Sequence, residues 1–184
     1  MTSSVGAQVR TEMTDSKRRM IEGWIDKASN QLHAATEHLK SPSQYSEAIQ
    51  AAQQCIELSV KSVLSLFGIT FSPSHGWEQD KKQFATIAEQ IQKKEVVEKL
   101  TAQYLNHIVN LPRLLFLLNF WAQFYTTAKY GLEAEHLAPA KDLFKKEEAD
   151  LAVKHAQECY QAASHLRYLS EDKLAALLTT QAAG

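Results

Sequence analysis

The chain has 184 residues, 45% of them hydrophobic, which is enough to bury one sizeable core and short for two independent domains. Its 20 Lys and Arg against 21 Asp and Glu leave a net charge of -1, which excludes an overall cationic field towards nucleic acid or anionic lipid and leaves open only a local basic patch. The first residues, Met1-Thr2-Ser3-Ser4-Val5-Gly6-Ala7, have no basic segment followed by an apolar run, so no secretion signal is expected and the expected compartment is cytoplasmic.

Residues 1–16 are polar and rich in Ser and Thr, and they read as a flexible N-terminal tail before a single helical domain over 17–180. Thr14, Asp15 and Ser16 are good N-cap types preceding Ile21, Ile25, Ala28, Leu32, Ala35 and Leu39, whose spacing predicts one long amphipathic helix. Ser41-Pro42-Ser43 ends it, because proline cannot continue the hydrogen-bond ladder. Tyr45, Ile49, Ala52, Ile56, Val60, Val63 and Phe67 predict a second helix closed by Gly68, and the short linker predicts an antiparallel hairpin with the first. The stretch Phe71 to Trp77 reads as a loop, after which Asp80 would cap a helix carrying Phe84, Ile87 and Ile91.

A further helix is expected from about Val96 through Leu100, Tyr104 and Ile108, with Pro112 either kinking it or starting its successor. Arg113 to Lys129 is strongly apolar and is expected to be the central helix, ending at Tyr130-Gly131. Its most apolar part, Leu114 to Tyr125, is twelve residues long against the roughly 20 a membrane span needs, so no membrane contact is expected. Leu132 to Lys141 reads as a ten-residue loop, long for a bundle and therefore a place for function. A last long helix is expected over Asp142 to Leu169 with Ala149, Ala152, Ala156, Cys159, Ala163 and Leu166 inward, followed by a short one capped by Ser170. No segment alternates with period two, so the fold class is all-α: an up-and-down helical bundle of about five to seven helices. Cys55 and Cys159 both fall on apolar stripes and are expected to be free thiols.

The second helix, Ala48-Ile49-Gln50-Ala51-Ala52-Gln53-Gln54-Cys55-Ile56-Glu57-Leu58-Ser59-Val60-Lys61-Ser62-Val63-Leu64, resembles the helix typical of HEPN domains, the higher eukaryote and prokaryote nucleotide-binding family. The family's alanine-rich start, its Glu and its Lys four residues later are met by Glu57 and Lys61. Pro73 and His75, then Ala128-Lys129-Tyr130-Gly131, then Glu147-Glu148-Ala149 follow in the family's order, and the resemblance covers roughly residues 17–169. It implies a helical bundle, usually a homodimer, whose members act as metal-independent ribonucleases, as partners of nucleotidyltransferases, or as binding modules. Catalytic members carry an Arg followed after four to six residues by a His, and none of Arg10, Arg18, Arg19, Arg113 or Arg167 meets that spacing. Lys129 followed after six residues by His136 is the nearest approach, although Lys lacks the planar fork of Arg, and Lys27 with His33 meets the same loosened pattern.

The reading is a homodimeric, non-catalytic HEPN-like module that binds nucleotide or RNA or partners a nucleotidyltransferase. The alternatives are a diverged ribonuclease using Lys129 and His136, and a structural adaptor. Ligand contacts are expected at His75, Trp77, Lys129 and Tyr130, where His75 would otherwise tie down its loop and Trp77 fasten it to the core. Glu57 and Lys61 carry a structural role, against the commoner solvated i,i+4 pair. Phe116, Phe120, Trp121, Phe124 and Tyr125 spread round too much of one helix for a single stripe, which points to a second subunit. Lys81-Lys82, Lys93-Lys94 and Lys99 form either a phosphate-facing strip or a solvated face. Glu133 to His136 supplies one Glu-x-x-His where a di-iron bundle needs two, so no metal and no cofactor are expected.

Overall fold

The computed structural model describes residues 15–72, 81–132 and 137–178; residues 1–14 of the expected tail and most of the loop up to Asp80 lie outside them, whereas Asp15 and Ser16, counted with that tail, open the first helix. The chain is an all-α helical bundle with, in order, α1 (Asp15–His38), α2 (Tyr45–Leu66), α3 (Lys81–Lys93), α4 (Val96–Ala102), α5 (Leu111–Ala122), α6 (Tyr125–Tyr130), α7 (Lys146–Arg167) and α8 (Glu171–Leu178). No strand occurs among the described residues.

α1 buries Ile21, Ile25, Ala28 and Ala35, the stripe its periodicity marks. It gives way to a 3-10 turn at Pro42–Gln44, before which Ser41 is extended at φ -116, ψ 122, as a residue preceding proline must be. α2 then runs back along α1. It ends in a Schellman turn: Gly68 sits at φ +64, its N–H donates to Ser65 O at 3.0 Å, and Ile69 N–H donates to Leu64 O at 2.9 Å. Leu64 and Ile69 are both buried, which supplies the apolar contact of that motif.

The centre of the bundle is α2, not the apolar segment near residue 120 on which hydropathy alone places it. α2 packs against α1, α5, α6 and α7, and it is buried nearly all round, including Ser46, Ser59, Ser62 and Ser65. Small side chains make this possible. Ala48, Ala51 and Ala52 on α2, Ala28 and Ala35 on α1, and Ala149, Ala152, Ala156, Ala162 and Ala163 on α7 let the three backbones come close. Ile49, Ile56, Val60 and Leu64 fill the remaining space, each stabilising by roughly 1.5–3 kcal/mol through removal from water.

Three boundaries depart from the spacing. α4 stops at Ala102 instead of continuing through Tyr104 to Ile108, because Tyr104 takes the left-handed conformation at φ +56. Its N–H donates to Thr101 O at 3.0 Å and Leu105 N–H to Leu100 O at 2.8 Å, a second Schellman turn that buries Leu105 and leaves Tyr104 82% exposed. The apolar segment begins at Leu111, with Pro112 in the first turn and Asn110 Oδ1 accepting from Arg113 N at 3.2 Å. It then breaks at Gln123-Phe124, where Phe124 N–H bonds tightly back to Trp121 O at 3.0 Å before α6 resumes. α7 starts at Lys146, not Asp142, because Glu148 Oε2 accepts from Lys145 N at 2.8 Å and fixes the cap there. Asp142 lies in a 3-10 turn.

Candidate functional site

The end of α6 is set by glycine geometry. Gly131 adopts φ 65, ψ -150, a region essentially reserved for glycine, and donates to Thr127 O at 2.8 Å. A Cβ there would collide with Ala140 N and lie 2.6 Å from Ala138 O and 2.8 Å from Pro139 C, so the returning loop is pressed onto this backbone. Leu132 N–H donates to Ala138 O at 2.9 Å and Leu137 N–H to Leu132 O at 3.1 Å, closing the loop on itself.

This closure puts Lys129 at the surface between two rings. Its Nζ lies 5.0 Å from the Tyr130 ring centroid and 5.8 Å from that of Tyr125. Tyr130 is 52% exposed. A side-chain hydrogen bond with Tyr130, then the field of Tyr125, raises the Lys129 pKa above its ordinary value, so the amine is a cation at any physiological pH. His136, the partner proposed for Lys129 in a diverged ribonuclease, lies outside the described residues with the whole of Glu133 to His136. So do His75 and Trp77.

Glu57 and Lys61 do not decorate a solvated face. Lys61 Nζ donates to Glu57 Oε1 at 2.6 Å with both side chains at most 7% exposed. Gln53 Nε2 adds a second donor to Glu57 at 3.3 Å, and the Lys61 ammonium lies 5.9 Å from the Phe71 ring. Gln53, Glu57 and Lys61 thus form one polar line along the most buried helix. A buried pair of this kind contributes little net stability, whereas removing one partner is strongly destabilising.

The aromatic group of α5 and α6 divides. Trp121 is 3% exposed whereas Phe116 is 55% exposed, and Phe120 and Phe124 are half-buried between them. Ring centroids 6.0 Å apart for Phe116 and Phe120 and 5.4 Å for Phe120 and Phe124 make a continuous ridge. Beside it stands a cluster that sequence spacing does not show. Arg113 on the first turn of α5 meets Glu158 of α7 through Nε at 3.2 Å and Nη2 at 3.4 Å. His155 of α7 lies 3.2 Å from Arg113 Nη2 and accepts from Trp121 Nε1 at 3.0 Å. Burial, then the Arg113 charge, holds His155 below the usual histidine pKa. The partners are 42 and 45 residues apart, so no local spacing could have marked them.

Of the lysines that could face phosphates, Lys94 lies just after α3. Lys94 turns to the end of α2, where its amine and that of Lys17 lie 3.5 and 3.8 Å from the position of a Gly68 Cβ, at the negative end of that helix. Burial and the nearby Lys94 lower the Lys17 pKa.

Both cysteines are free and buried. Burial pushes the Cys55 thiol up to about 12 and that of Cys159 well above its ordinary value, so neither is a nucleophile. Among the described residues no group of His, Cys, Asp and Glu could hold a metal ion, and no helix is long and apolar enough to cross a membrane. A family model described as HEPN domain matches residues 21–166. Comparisons with curated proteins and with solved structures give no match.

Proposed function

The chain belongs to the HEPN domain family, and on that premise we propose that it works as a homodimeric, non-catalytic module that binds a nucleotide or RNA. The observation that carries the reading is the Tyr125–Lys129–Tyr130 group at the end of α6. A permanent cation flanked by rings offers a phosphate contact and a stacking surface in one place, which is what a single-stranded nucleic acid or a nucleotide requires. The half-buried Phe120 and Phe124, with Phe116 at their margin, support the homodimer, since apolar rings left partly uncovered at the surface are what a second subunit covers. The sequence supports the non-catalytic assignment, because none of its arginines has a histidine at the spacing of the family's ribonucleases. Partnering a nucleotidyltransferase is the competing outcome.

The test is retention of labelled single-stranded RNA by the purified protein without metal, at low and moderate salt, with its mass followed by light scattering. The reading expects a dimer, intact RNA, and binding that falls with salt and with Lys129→Ala or Tyr130→Ala. Cleavage lost in both Lys129→Ala and His136→Ala would make the protein a diverged ribonuclease. A dimer without affinity for RNA or nucleotides at any salt would leave an adaptor.

A further inference from the structure

The surroundings of His155 contain a conflict between hydrogen-bond donors. Trp121 has one polar atom, an indole N–H that only donates, and at 3% exposure it must find an acceptor inside the protein. His155 Nδ1, 3.0 Å away, is that acceptor. A neutral imidazole has a single lone-pair nitrogen, so the proton must sit on Nε2. Nε2 faces Arg113 Nη2 at 3.2 Å, and a guanidinium has no lone pair to offer. Two N–H donors therefore converge on one point. Moving the proton to Nδ1 would orphan the buried indole, and protonating both nitrogens would set N–H against N–H there, and either is unfavourable.

We propose that Arg113 and His155 form a binding site for an oxyanion, a phosphate or carboxylate group, whose oxygen accepts from Arg113 Nη2–H and His155 Nε2–H together. Glu158 already takes the other edge of the guanidinium, through Nε and Nη2, and so holds it in place. It leaves the edge towards His155 open. The charges acting on His155 are Arg113 and Lys154 against Glu158, which sum to +1 with His155 neutral. The site is reachable: the Arg113 side chain is 36% exposed and that of Glu158 42%. Phe116, with its ring 5.6 Å from the guanidinium and largely exposed, forms an apolar rim against which the remainder of the ligand would lie. The site is distinct from Lys129 and Tyr130, so the inference stands or falls independently of the nucleic-acid reading.

The experiment is a nitrogen-15 correlation spectrum of the histidine rings of the full chain at pH 7.5, titrated separately with inorganic phosphate, acetate and phenyl phosphate. His155 is assigned from His155→Gln, and the six other histidines of the chain's 7 report on folding. His155 is expected as the Nε2-protonated tautomer, with a saturable shift of Nε2 on adding phosphate or acetate. The tighter of the two identifies the group, and tighter binding of phenyl phosphate than of phosphate would place the ligand on Phe116. Arg113→Gln should weaken binding at least about tenfold and Glu158→Gln should strengthen it about three- to fivefold, the latter a gain that misfolding cannot produce. An Nδ1-protonated tautomer, no saturable shift with any of the three anions, or the same affinity in Arg113→Gln would overturn the proposal.

Discussion

Lys61→Met retains the length and apolar stem of the side chain and removes the ammonium that meets Glu57 at 2.6 Å. The carboxylate left behind is 6% exposed, and the bond from Gln53 at 3.3 Å is too long to replace a charged partner. Breaking a buried pair on one side costs about 3–5 kcal/mol. A domain of this kind has about 5–15 kcal/mol in total, so the variant stands near the threshold of folding. Glu57→Gln removes the other charge of the 2.6 Å pair and should likewise destabilise the domain. Carrying both substitutions leaves a neutral, hydrogen-bonded amide beside an apolar chain and should cost about 1–2 kcal/mol. The two changes should therefore rescue one another by several kcal/mol in a double-mutant cycle from urea unfolding followed by circular dichroism, with the slope against urea unchanged. A Lys61→Met cost under about 1 kcal/mol, the worth of an exposed pair, or simple additivity, would show that the pair is not the buried, coupled unit described above.

Gly131→Ala combines a disfavoured backbone conformation with collision against the backbone of Ala138 to Ala140, and should cost at least about 2 kcal/mol in thermal unfolding. Gly68→Asn, at φ +64 with only lysine amines nearby, should cost less than about 1 kcal/mol in the same assay. Because burial and then Arg113 depress the His155 pKa, stability from this group is complete above the unfolded histidine value of about 6.5 and is lost as pH falls through the lower folded value. His155→Gln should flatten that part of a stability-against-pH profile; an unchanged profile would refute the assignment. Cys55 and Cys159 should resist a thiol reagent in the native protein at pH 8 and react at once in urea, as mass spectrometry can read.

How far the fold could be read from the sequence follows the strength of each helix's apolar repeat. In α1 and α7 the stripes Ile21, Ile25, Ala28 and Ala149, Ala152, Ala156 are periodic, and those residues are buried. α2 was legible as a helix and illegible as the centre. Hydropathy ranks a segment by what its side chains gain from burial, whereas central position here depends on how closely backbones approach, and Ser and Ala score poorly on the first and well on the second. The end of α4 was hidden for a related reason. A left-handed Tyr104 costs free energy locally, and what holds it is the burial of Leu105 against the bundle, a tertiary gain that no local repeat contains.

The candidate sites divide along the same line. Lys129 and Tyr130 could be singled out because a helix end, a glycine and a long loop are local features. The Arg113–His155 contact required knowing that the first turn of α5 meets the middle of α7, and stripes decide which faces meet without deciding their register. Half of the problem was still visible. Trp121 lies four residues after Leu117 and three after Leu118, on the buried side of α5, so its indole N–H was bound to need an interior acceptor. His155 lies beside the Ala152–Ala156–Cys159 stripe of α7, at the border where a polar ring can reach inward with one nitrogen and outward with the other. The inward nitrogen satisfies the tryptophan. The outward one is then compelled to donate beside a guanidinium that also donates, so the packing need of a core residue determines the chemistry offered at the surface.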